Sequence, residues 1–208
     1  MKIEIYSDFV CPFCYIGETR LFKALELANC KDVKVEFKAF ELDPNAKLYY
    51  SENLDQLIAK KYGLNLEDAV INNRRLTQSA REEGLVYNLD SAKHTNTFDA
   101  HRLSFLFKEY NLSKEYTEAI MKAYFTDSKL ISNHSELLNI LKNFSISEKE
   151  ILEVLQSDRY SKEVRENESE AVSKGIRGVP YFIIDGNRTI SGAQPLEVFL
   201  NTLKSIKN

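Results

Sequence analysis

No stretch of this 208-residue chain approaches the roughly 20 consecutive apolar residues that a membrane-spanning helix needs. The opening Met1-Lys2-Ile3-Glu4-Ile5-Tyr6-Ser7-Asp8 is too short in apolar residues for a signal peptide, and Glu4 and Asp8 interrupt it. The expectation is a cytoplasmic protein with no membrane partner. An excess of basic charge is missing as well. The 28 Lys and Arg stand against 31 Asp and Glu, interspersed and summing to −3, which leaves no footprint for nucleic acid. Histidine and cysteine are scarce, at three each, and His94, His101 and His134 show no paired ligand spacing with Cys30, so no metal site is expected. Internal repeats and low-complexity linkers are also missing. With 43% hydrophobic and 28% charged residues, the composition is that of an ordinary globular chain and excludes disorder.

The cysteines that are present are informative. Cys11-Pro12-Phe13-Cys14 places two thiols two residues apart, directly after a short alternating run. In a reducing compartment such a pair is catalytic or metal-binding in preference to structural. Cys30 is left over near the end of the first helix and reads as a small packing residue, or as a site for glutathionylation or coupling to another chain.

Ile3 and Ile5 alternate with charged neighbours from Lys2 to Tyr6, which predicts a strand. Pro12 to Asn29 follows with helical spacing of Leu21, Leu25 and Ala28, and Pro12 suits the first helical position. Val33 to Phe40 alternates again, completing a β-α-β unit with a parallel crossover. From about Ser51 to Gly175 only helical punctuation occurs. Asn65, Ser113 and Asn133 are candidate N-caps, Ser147 with Glu150 is a capping box, and Gly84 and Gly175 are helix stops. Ala100, Leu103, Phe107 and Tyr110 share one helical face, and Val164, Ala171 and Val172 mark another helix. Tyr181 to Ile184, a turn at Asp185-Gly186-Asn187 and Arg188 to Ser191 form a hairpin, closed by a helix carrying Leu196, Phe199, Leu200 and Leu203. The expected fold is α/β: a thioredoxin-like β-α-β … β-β-α domain from residues 1–48 and 155–208, with an all-helical insertion over residues 49–154.

Disulfide exchange needs a thiolate, so one cysteine must be made acidic. Cys11 would cap the helix that begins at Pro12, where the positive end of the helix dipole favours a negative sulfur. Cys14 lies about one turn on, more buried, placed to resolve a mixed disulfide. Phe13 brings no positive charge, so activation at Cys11 rests mainly on the helix terminus. Gly178-Val179-Pro180 leads straight into the C-terminal strand. A cis bond at Val179–Pro180 would present the Val179 backbone to Cys11 as an edge for substrate main chain, with Pro12 and Phe13 lining the approach. Asp8 tunes the site or takes a proton, or it caps the loop that follows it. His101 reads as a helical residue hydrogen-bonded in the interior, or as a tuning group.

Ser7-Asp8-Phe9-Val10-Cys11-Pro12-Phe13-Cys14-Tyr15-Ile16-Gly17 resembles the active-site segment of DsbA-family proteins of the FrnE-like branch. Phe40-Glu41-Leu42-Asp43-Pro44, Asn96 to Leu103, Ala123-Tyr124-Phe125, Gly178 to Phe182 and Ser191 to Pro195 resemble that branch's other signatures. The resemblance implies a thioredoxin fold with a helical insertion, dithiol–disulfide oxidoreductase or isomerase activity at Cys11 and Cys14, and a cis Pro180. Extra C-terminal cysteines found in some members are missing here, since none follows Cys30.

The expected substrates are thus protein or low-molecular-weight thiols and disulfides. No cofactor is expected beyond glutathione as a co-substrate, and the chain is expected to be a monomer or dimer. Two rivals stand beside this reading. One is a glutathione-dependent isomerase or transferase on the same fold, related to 2-hydroxychromene-2-carboxylate isomerase and kappa-class glutathione transferases, which typically carry serine in place of Cys11. The other is a non-enzymatic protein binding unfolded or partner chains through an exposed apolar groove around Phe9, Phe13 and Tyr181.

Overall fold

Alternation of Ile3 and Ile5 with Glu4 and Tyr6 produces a strand with two different faces, and both faces are covered. A computed structural model describes residues 1–207. In chain order the elements begin β1 (Lys2–Ser7), α1 (Pro12–Leu27), β2 (Lys34–Ala39), α2 (Leu54–Tyr62) and α3 (Leu66–Glu82). After a 3-10 turn at Leu89–Ser91 come α4 (Phe98–Glu109), α5 (Ser113–Phe125), α6 (His134–Leu141) and α7 (Glu148–Leu155). The chain closes with α8 (Ser161–Ser173), β3 (Tyr181–Ile184), β4 (Arg188–Ser191) and α9 (Leu196–Lys207).

The chain divides into two compact units: Met1–Leu42 with the chain from Val164 onward, and Asp43–Glu163. The helical unit is therefore wider than the sequence pattern suggested, taking in residues 43–48 and 155–163. Asp43-Pro44-Asn45 is a turn, closed by Ala46 N–H on Asp43 O at 3.0 Å, so no period marks the boundary there.

In the first unit the sheet order is β2-β1-β3-β4. β1 and β2 pair in parallel with Ile3 opposite Val35 and Ile5 opposite Phe37, whereas β3 runs antiparallel to β1 and to β4. On one face Ile3, Ile5, Phe182 and Ile184 pack with Leu21, Ala24 and Leu25 of α1 and Phe199 and Leu203 of α9. Phe182 and Phe199 meet edge to face at 5.1 Å. Burying a side chain of this size contributes about 1.5–3 kcal/mol, so this layer fixes α1 and α9 on the sheet. On the other face Tyr6 and Ile183 pack with Ala171 of α8 and with Ile176. Val172, one of the apolar residues that mark α8 in the sequence, is 73% exposed.

The helical unit is held by rings: Phe107 lies 4.5 Å from Tyr116 and 5.1 Å from Phe144. Asn65, Asn133 and Ser147 cap α3, α6 and α7 through their side chains as their spacing implies. Ser113 does not cap; it is the first residue of α5, with Leu112 at the cap. Tyr110 follows the last turn of α4 and is 42% exposed, so it leaves the apolar face of Ala100, Leu103 and Phe107. The capping box of α2, Asn53 with Gln56, uses an amide pair that is easily overlooked. Among the described residues no helix is long and apolar enough to cross a membrane, and no group of three His, Cys, Asp or Glu is placed to hold a metal ion.

Candidate active site

Cys11 occupies the N-cap of α1 in an extended conformation, φ −89° and ψ 109°, with Pro12 at the first helical position. The turn is tight: Cys11 N–H donates to Asp8 O at 3.1 Å, and Cys14 N–H to Cys11 O at 3.0 Å. The Cys11 thiol donates to the carbonyl oxygen of Val179 at 3.6 Å, across 168 residues of sequence. The Val179–Pro180 peptide is cis. The expected residues Cys11, Cys14, Asp8, Val179 and Pro180 are thus brought together, with Pro12 half-buried and Phe13 exposed beside them.

Close approach of α1 makes this possible. A Cβ on Gly17 would stand 3.0 Å from Pro180 Cγ and 3.2 Å from Phe182 Cζ, so only glycine lets the helix lie against Pro180. One turn on, Arg20 donates through Nη1 to Ala193 O at 2.8 Å and Gln194 O at 3.2 Å, binding α1 to the segment that leads into α9. Gly192 N–H donates to Pro180 O at 2.8 Å and closes the same corner.

Both cysteines are free thiols, and Cys14 is fully buried while Cys11 keeps 3% of its surface. Burial pushes the Cys14 thiol well above the ordinary cysteine range, reinforced by its hydrogen bond to Cys11 and by the charges of Cys11 and Glu18; a backbone hydrogen bond from Asp8 works against this. Glu18, four residues after Cys14 and hence on the same side of α1, is itself buried and accepts a 2.5 Å hydrogen bond from Ser7 Oγ. A buried carboxylate therefore sits beside a buried thiol. Asp8 is buried too, and its carboxylate accepts the Leu42 N–H at 2.8 Å, fastening the loop after β1 to the chain after β2.

Ser7, Gly17, Glu18 and Arg20 were not read as site residues from the sequence. Two signals were available: a lone glycine inside a helical pattern marks close packing, and a carboxylate one turn beyond Cys14 shares its face. Phe9 corrects an expectation, since it is 4% exposed and packs inward; the exposed apolar groove therefore loses one of its three aromatic residues. His101 lies in α4 of the helical unit, 3% exposed, where its backbone N–H donates to Thr97 O at 2.9 Å. Cys30 packs, half-buried, against the core beneath α1.

The arrangement holds a reduced dithiol at a helix N-terminus, opposite a backbone carbonyl, over a buried acid. The model of the DSBA-like thioredoxin domain family matches residues 2–204. The chain belongs to the DSBA-like thioredoxin family. Among solved structures, the probable DsbA oxidoreductase SCO1869 from Streptomyces coelicolor is 34% identical, with a TM-score of 0.94 over 99% of this chain and 89% of that one. The protein YwbO of Bacillus subtilis (strain 168) is 27% identical over 211 residues, 96% of this chain and 94% of its own length. The 2-hydroxychromene-2-carboxylate isomerase shares the DSBA-like fold, with a TM-score of 0.77 over 100% of this chain and 96% of its own, at 15% identity.

Proposed function

We propose that this DSBA-like protein is a dithiol–disulfide oxidoreductase or isomerase, with Cys11 as the attacking sulfur and Cys14 as the resolving one. The observation that carries this reading is the placement of Cys11 at the helix cap, 3.6 Å from the Val179 carbonyl, with Cys14 fully buried one turn behind it.

The Cys11 thiolate attacks a substrate disulfide; a Cys11–substrate disulfide forms, the substrate S–S bond breaks, and one substrate thiolate leaves and takes a proton. That step changes Cys14. Before it, burial, the hydrogen bond to Cys11 and the Cys11 charge hold the Cys14 proton. After it, the Cys11 contributions are gone, and Glu18 stands beside Cys14 to accept the proton. The Cys14 thiolate then attacks Cys11 Sγ, closes the Cys11–Cys14 disulfide and releases the second substrate thiolate. Two electrons have passed to the substrate, and the reverse sequence oxidises it. Pro12, Phe13, Val179 and Pro180 line the approach, with the backbone at Val179 as the edge on which substrate main chain pairs. Substrates are protein or low-molecular-weight disulfides and thiols, glutathione among them.

The test is to equilibrate the purified protein across glutathione redox buffers and follow the Cys11–Cys14 disulfide by alkylation and mass spectrometry. A disulfide with a potential between about −270 and −120 mV is expected, the span of thioredoxin-type sites. Failure to form it at any poise would refute the proposal and favour glutathione-dependent isomerisation on the same fold.

A further inference from the structure

A cleft lies along the segment that carries Val179. It is lined by Arg177, Val179, Pro180, Tyr181 and Ser191 together with three glycines, and Arg177 is the one charged residue in that lining. The carbonyl of Val179, one of the lining residues, accepts the Cys11 thiol, so a substrate joined to Cys11 has this cleft as its adjoining surface.

The backbone on both sides of Arg177 is fixed. Ile176 is 3% exposed and donates its N–H to Ala171 O at 2.9 Å; Pro180 is buried and its carbonyl is held by Gly192. The Arg177 side chain is itself exposed, and it makes no hydrogen bond or ion pair with any described residue. This contrasts with Arg20 and Arg165, whose guanidinium groups are committed to the Ala193 and Gln194 carbonyls and to Glu41 and Glu168. Only Gly178 separates Arg177 from Val179, at most about 7 Å of chain, which is within the reach of an arginine side chain. A carboxylate one or two residues from a substrate cysteine therefore falls within range of the guanidinium, which is built to take a carboxylate through two parallel N–H donors.

We propose that Arg177 is a specificity-determining residue that selects disulfides bearing a carboxylate next to the sulfur. Resting on the disulfide-exchange reading above, this names the substrate class: acidic cysteine-containing peptides, including glutathione, whose C-terminal carboxylate is that of the glycine directly after its cysteine.

The experiment compares kcat/KM for two peptide disulfides that differ only by Glu or Gln beside the cysteine, and for oxidised glutathione against its glycyl ethyl ester. The carboxylate form is preferred about threefold to fivefold at an ionic strength of about 0.01 M, and the preference falls towards unity at about 1 M, as expected of an exposed pair. In Arg177→Glu the ratio inverts, and in Arg177→Lys much of it returns. A preference in the peptide pair points to protein substrates and one in the glutathione pair to the small thiol; either supports the proposal. Equal rates for acid and neutral forms with the wild-type protein, or a ratio unmoved by Arg177→Glu, would overturn it and leave the exchange reading intact. No exchange with any of the four disulfides would overturn both.

Discussion

Gly17→Ala tests the packing that builds the site. At an open position inside a helix this change stabilises by about 1 kcal/mol, because alanine restricts the unfolded chain and favours the helix. Here the new Cβ would stand 3.0 Å from Pro180 Cγ and 3.2 Å from Phe182 Cζ. Ordinary carbon contacts lie at about 3.5–4.0 Å, so the helix must retreat by about half an ångström or its neighbours must move. Neither neighbour yields readily. Phe182 is fully buried and wedged edge to face against Phe199 at 5.1 Å, and the Pro180 carbonyl is held by Gly192 N–H at 2.8 Å. Overpacking of this kind costs about 1–3 kcal/mol, which exceeds the helical gain and leaves a net loss of about 1 kcal/mol. Urea unfolding followed by circular dichroism measures it as a lower midpoint at unchanged slope. Disulfide exchange should slow in the same variant, since a helix displaced from Pro180 carries Cys11 away from Val179. A gain of about 1 kcal/mol would show that α1 does not lie against Pro180, and the account of the site would fail with it.

Two further outcomes are expected. Glu18→Gln removes one of the influences that raise Cys14, yet it also removes the proton acceptor, so release of substrate from the Cys11 mixed disulfide slows about 100-fold at pH 7 and the rates converge in alkali; stopped-flow measurement of faster release at pH 7 would contradict this. The stability of the reduced protein should also depend on Cys14. A folded-state thiol held well above its unfolded value contributes stability that is intact below about pH 8.5 and is lost as pH rises towards the folded value. Unfolding curves of reduced wild type and Cys14→Ala from pH 7 to pH 10 should therefore converge, and strictly parallel curves would rule the contribution out.

Local chemistry explains what could be read in advance. Cys11 and Cys14 with Pro12 at the first helical position, the caps at Asn65, Asn133 and Ser147, and the hairpin turn at Asp185-Gly186-Asn187 all depend on neighbours within a few residues. The residues that escaped notice depend on distant partners. Gly17 matters because Pro180 and Phe182 lie opposite it, and Glu18 because Ser7 and Cys14 enclose it. Phe9 misled in the reverse direction: an aromatic residue beside a reactive motif invites a reading as a docking surface, and nothing local reveals that it turns inward. The edges of the helical unit at Asp43 and Glu163 fall beside a turn and within a helix, where hydrophobic period carries no mark of a boundary.

The bond from the Cys11 thiol to the Val179 carbonyl has a consequence of timing. While Cys11 keeps its proton, that carbonyl is engaged by the sulfur's own hydrogen, so an arriving peptide N–H must compete for it. Once Cys11 has given up that proton and joined another sulfur it has no hydrogen to give, and the acceptor is open when a covalently tethered chain is there to use it. On the proposed reading, a weak internal bond is thus exchanged for an external one once capture is complete. An isotopic label on this single carbonyl would then serve as a built-in indicator of whether Cys11 is resting or engaged.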